Sequence, residues 1–142
     1  MRIWTAVSAA IGVVIIPTAL LAAQEWQAGL ARGLPTWSAS ADGGSLVIVC
    51  DPDRVYNPEV SYAHFVVILP RDPGARQIVF LSGTGQQASF DVHDGTATQQ
   101  EAGATDLAGL VEMIQRGGTI AVVTARDTFS LDLNPTPDFA CE

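Results

Sequence analysis

A chain of 142 residues with seven basic side chains, all of them Arg, against fifteen acidic ones carries a net charge of −8. That balance argues against a nucleic-acid backbone or an anionic lipid surface as partner. Only two histidines and two cysteines are present, which limits imidazole catalysis and metal ligation severely.

After Met1 and Arg2, residues 3–23 form an uncharged apolar run. Two readings fit it. As a secretory signal peptide it has a short positive start, an apolar stretch ending near Ile16, a helix break at Pro17 and small residues at Ala22 and Ala23 for the cut. As a transmembrane anchor it has the length needed to span a bilayer core, with Trp4 and Trp26 near its ends at interfacial depth. A buried core helix fits less well, because the run has no polar face. Both main readings leave Arg2 inside and everything after the run outside. The absence of Lys, with abundant Ala, Gly, Arg and Asp, is the composition of a GC-rich bacterial genome. The expected home is therefore the periplasm, with the domain either soluble there or anchored in the inner membrane.

The rest of the chain is one domain's worth, enough for a hydrophobic core of its own. Residues 24–35 read as a linker or short helix in which Trp26 and Leu30 share a face, and residues 36–142 as the β-rich domain. Strands are predicted at 36–40 and 45–50 around the Gly43-Gly44 turn. Residues 51–60 hold two prolines and turn formers and form a loop. Strands at 62–69 and 76–81 flank the turn chemistry of Asp72, Pro73 and Gly74, which predicts a hairpin between them. Residues 88–93 alternate, with Phe90 and Val92 on one face. Asp94-Gly95 then predicts a second hairpin onto 96–99.

One helix is predicted over 106–116. Thr105 is placed to cap it, Asp106 complements its dipole, and Leu107, Leu110, Val111 and Ile114 make an apolar stripe stopped by Gly117 and Gly118. That stripe is expected against the strands that follow, at 119–125 and 129–133, in which Phe129, Leu131 and Leu133 alternate with Ser130 and Asp132. Pro135 and Pro137 keep the tail, 134–142, out of a ladder. The fold class is thus mainly β: an antiparallel β-sandwich or open barrel with one late helix, preceded by an N-terminal hydrophobic helix.

The strand containing Trp37, the apolar strand ending at Cys50, the late helix followed by Arg116-Gly117-Gly118 and the hairpin text of 119–133 together resemble small bacterial envelope proteins of the invasion-associated locus B type. That resemblance implies a secreted β-sandwich without known catalytic residues.

Candidates for chemistry are few. Ser89, Asp91 and His93 share a strand face and superficially form a Ser, His, Asp set. Neighbours at i and i+2 stand roughly 6.5 to 7 Å apart, however, and no nucleophile elbow accompanies them, so a solvated face is the plainer reading. His64 lies in the most apolar strand, where a half-buried histidine bonded to a neighbour is expected. Asp51, Asp53, Asn57 and Glu59 put oxygen ligands in one loop but fail the positional requirements of a calcium hand. Ser82-Gly83-Thr84-Gly85 lacks the Lys and the helix of a phosphate loop. No catalytic set, cofactor or metal is expected. Cys50 and Cys141 are the only cysteines, and an oxidising compartment predicts a disulfide between them.

These readings converge on an exported bacterial envelope protein acting as a non-enzymatic binding or structural module, with a protein partner in the envelope. Membrane association would come only through residues 3–23 if uncleaved. The alternatives are a membrane-anchored accessory subunit of an integral membrane complex and, further off, a small periplasmic hydrolase using one of the histidines.

Overall fold

The computed structural model describes residues 23–51, 63–98 and 104–140. It is mainly β, with two antiparallel sheets and one helix. Strands β1 (Gln27–Ala31), β2 (Leu34–Ala41), β3 (Gly44–Cys50), β4 (Ala63–Ile68) and β7 (Thr96–Thr98) form a five-stranded sheet in the order β1-β2-β3-β4-β7. Strands β5 (Gln77–Ser82), β6 (Gln87–Asp91), β8 (Gly118–Val123) and β9 (Thr128–Leu133) form the other, in the order β6-β5-β8-β9. Alternation sorts their faces: Phe129, Leu131 and Leu133 of β9 are buried while Ser130 and Asp132 are exposed.

The two sheets share one core. Phe65 of the first meets Phe80 and Phe90 of the second edge-on, with ring centroids 5.7 and 4.6 Å away, in the orientation that the ring quadrupole favours. Helix α1 (Ala104–Arg116) packs chiefly on β6 and not, as its stripe suggested, on the strands that follow it, and it adds Leu110, Met113 and Ile114 to that core. Leu107 and Val111 flank it half-buried. The helix lies against β6: the Asp106 carboxylate accepts the Ser89 N–H at 2.8 Å, so this acid ties the first turn to a strand as well as facing the helix dipole. Thr105 is already helical and is not the cap.

Three further expectations are corrected. Residues 24–35 are no linker. Gln24 donates to Asp132 and accepts from Asn134, Trp26 is buried, and β1 pairs along β2 through a two-residue turn at Arg32-Gly33. Both turn residues have positive φ, 53° and 87°, which is the backbone of a tight hairpin; Arg in the first place disguises it, since Asn or Asp is usual there.

The strands on either side of Asp72-Pro73-Gly74 do not pair. β4 lies between β3 and β7, β5 between β6 and β8, and the turn carries the chain from one sheet to the other. Asp94-Gly95 does form its tight turn, with φ of 49° and 76° and reciprocal backbone bonds between His93 and Thr96 at 2.9 Å. The ladder ends there, because β6 and β7 belong to different sheets, and the turn is a second crossing.

The described part of the tail stays out of the ladders and is packed onto the core. Phe139 is 1% exposed and its ring lies 6.1 Å from that of Trp26 and 5.5 Å from that of Trp37. Gln115 of the helix binds the tail on both sides, accepting from Thr136 N–H at 3.1 Å and donating through Nε2 to the Phe139 carbonyl at 2.9 Å. Among the described residues no helix is long and apolar enough to cross a membrane. The apolar run at 3–23, and with it the N-terminal hydrophobic helix, lies outside them except for Ala23.

Candidate functional site

Two short segments of the sequence, Arg71-Asp72 and Arg126-Asp127, sit in turns at one end of the second sheet. The first belongs to the crossing from β4 to β5, the second to the turn between β8 and β9. The fold interlocks them. The Asp127 side chain is fully buried and its Oδ1 lies 2.5 Å from Arg71 Nη2. The same carboxylate accepts the Thr128 N–H at 2.8 Å and the Arg71 N–H at 3.3 Å. Arg71 Nη2 also donates to the Thr128 carbonyl at 2.9 Å. Thr124 completes the knot: its hydroxyl donates to Asp72 Oδ2 at 2.7 Å and accepts the Asp127 N–H at 3.0 Å. A buried carboxylate needs a cation or hydrogen-bond donors to offset its desolvation: Asp127 has both, and Asp72 has the Thr124 hydroxyl.

Beside the knot opens a cleft of about 550 Å³, within the size range of small-molecule sites. Arg71, Arg76 and Arg126 line it, three of the seven cationic side chains of a chain with net charge −8. Val79 and Val123, cross-strand partners that are both half-buried, give it an apolar lining. Arg71 is bonded to Asp127, whereas Arg76 and Arg126 enter no ion pair among the described residues. Asp72 also lines the cleft, with its carboxylate engaged by Thr124. The arrangement presents positive charge above an apolar surface. It can attract and orient an anion.

The chain matches no family model, no curated protein and no solved structure.

The candidates singled out from the sequence lie elsewhere. Ser89 is half-buried in β6 and its Oγ accepts from Gln87 Nε2 at 3.4 Å, while its backbone N–H is tied to the helix. Asp91 ends that strand and is exposed, and exposed His93 begins the turn beyond it. His64 stands in β4 opposite Val49 and Thr98. In the turn between β5 and β6 the Ser82 hydroxyl accepts the Gln86 N–H at 2.9 Å and lies 2.9 Å from that of Thr84, so both oxygens close the turn. Asp51 is buried; Asp53, Asn57 and Glu59 lie outside the described residues. No group of three or more His, Cys, Asp or Glu is gathered for a metal among the described residues. Cys50 is buried at the end of β3, and its Sγ is 3.8 Å from the carbonyl oxygen of Ala140, the residue before Cys141. Cys141 itself lies outside the described residues.

Composition argued that cations are scarce, and so they are. What it could not reveal is that the fold collects three of them. The local trace is an Arg-Asp pair repeated at 71–72 and 126–127.

Proposed function

We propose that this protein is an exported bacterial envelope protein whose domain, a β-sandwich, serves as a non-enzymatic binding module. The observation that carries the reading is the arginine-lined cleft. It concentrates cations in an acidic molecule, beside an internal network that holds the turns bearing them. The pattern shared with invasion-associated locus B proteins supports the same class, and the apolar run at 3–23 supports export.

A disulfide between Cys50 and Cys141 belongs to this reading. Its support is the approach of Cys50 Sγ to the residue next to Cys141, and the absence of any free cysteine among the described residues.

A second reading, the membrane-anchored subunit, is favoured by one feature. Gln24 is already hydrogen-bonded to β9 and Trp26 is already in the core, so no slack separates the end of the apolar run from the domain. A retained run would hold the domain close against the bilayer.

Fractionation of cells expressing the native protein tests both. Recovery in the osmotic-shock fluid with the run removed supports the free module. Recovery in membranes, released by mild detergent together with an integral complex, supports the subunit. Recovery in the cytoplasm with both thiols free overturns export altogether.

A further inference from the structure

We propose that the cleft between the β4–β5 crossing and the β8–β9 turn binds a small organic anion, a carboxylate or phosphate head on an apolar body, with Arg76 and Arg126 as the residues that hold the head. This deepens the binding-module reading and rests on it.

The assignment follows from what each side chain already does. Arg71 is committed to buried Asp127 and to the Thr128 carbonyl, and so serves to fix the two turns together. Arg76 and Arg126 are exposed and stand on those same turns, one at each side, and they make no ion pair among the described residues. Guanidinium groups recognise carboxylate and phosphate by paired N–H donors, and two of them lining one concavity can share a single anionic head. Asp127 is bonded to Arg71 and to the Thr128 N–H, and Asp72, which accepts from Thr124, keeps its charge, so the three arginines still outnumber the two carboxylates around the cleft.

The apolar part of the ligand follows from Val79 and Val123. They line the cleft half-buried, where the sheet would otherwise leave apolar surface to water. A free inorganic ion would leave that surface unused. A long polyanion is disfavoured because the molecule as a whole is acidic and repels it at distance.

The test uses the purified full chain and three probes: benzoate, phenyl phosphate and uncharged benzamide. Saturable binding of benzoate or phenyl phosphate is expected with a dissociation constant of about 1 mM or below at low salt. Benzamide is expected not to compete, and added salt to weaken the binding. Which anion binds tighter decides between the carboxylate and the phosphate head.

Arg76→Gln together with Arg126→Gln should weaken the preferred anion by about tenfold or more, since charged hydrogen bonds are lost. Arg116→Gln, on the helix and outside the cleft, should leave it unchanged. An unchanged thermal midpoint in the double variant shows that the fold is intact. Absence of saturable binding by either anion, equal binding of benzamide, or indifference to the double substitution each overturns the assignment. Those results would leave the export and envelope reading standing, because fractionation tests that separately.

Discussion

The molecule closes on itself twice, by opposite means. At one end of β8 and β9, Arg71, Asp72, Thr124 and Asp127 tie two turns together with charged and neutral hydrogen bonds. At the other, Trp26, Trp37 and Phe139 bring the start of the described chain, strand β2 and the tail into one aromatic cluster. The polar knot has an exposed cation, with the Arg71 side chain 64% accessible, over a fully buried acid. In the aromatic clasp Trp26 and Phe139 are buried and Trp37 is half-buried. Burial of apolar surface is favourable without conditions on geometry, whereas a polar network recovers its desolvation only when every member is bonded. The clasp is thus expected to carry more of the stability than the knot, even with the buried Trp26 Nε1 left without a hydrogen-bond partner. The knot holds a cleft in shape and leaves charges at its rim.

The largest expected effect tests the clasp. Phe139→Ala should cost about 3 to 5 kcal/mol, the range for a buried Phe, because it opens a cavity against two tryptophans. Urea unfolding of the variant checks it. A loss below about 1 kcal/mol would show that the tail contributes little and that the comparison is drawn at the wrong end. Next is the disulfide. Its reduction, or paired Cys50→Ser and Cys141→Ser, should lower stability by about 2 to 4 kcal/mol, the usual worth of a bridge closing a long loop. Mass spectrometry of unreduced peptides first establishes the bond, and two free thiols in the exported protein would remove both it and this prediction.

These two ends were unequally legible in the sequence. Periodicity carried the strands and the helix: Phe90, Val92, Phe129, Leu131 and Leu133 are all buried as their alternation required, and Leu110 and Ile114 are core as their helical spacing required. Pairing is a different matter. Asp72-Pro73-Gly74 is turn chemistry, but a turn within a hairpin and a turn between sheets use the same residues, and only the partners available to β4 and β5 distinguish them. Phe139 stood alone in a proline-rich tail, with no neighbour to make a period. Arg71 and Asp127 are 56 positions apart, and no local rule joins residues at that distance. What the sequence hid was long-range closure, and both the clasp and the candidate site are made of it.

A smaller effect is expected at the knot. Asp127→Ala removes the acceptor for the Thr128 and Arg71 N–H groups and leaves the Arg71 guanidinium without its carboxylate. The expected loss is about 1 to 3 kcal/mol, the cost of leaving buried donors unsatisfied. Asp127→Asn, which keeps an acceptor oxygen, should lose less. Equal losses for the two would mean that the charge, rather than the hydrogen bonds, holds the turns. The same substitutions sharpen the cleft: Asp127→Ala frees Arg71 and should alter anion binding in the folded protein, while Phe139→Ala should alter it only through global unfolding.

The smallest effect is the most discriminating. Arg71→Gln removes the cation from a pair whose acid is buried but whose guanidinium is largely in water, and solvent screens most of the attraction. The expected loss is below about 1 kcal/mol, because Asp127 keeps its two backbone donors. A double-mutant cycle with Asp127→Asn isolates the pair, and a coupling of about 0.2 to 1 kcal/mol that shrinks with added salt is expected. A coupling above about 2 kcal/mol that is insensitive to salt would mean that the pair behaves as a buried one. Arg71 would then be a principal stabiliser, the knot would rival the clasp, and the division between an end that stabilises and an end that presents charge would fail. A weak, salt-sensitive coupling instead leaves the positive field of Arg71 acting outward, into the cleft that Arg76 and Arg126 share with it.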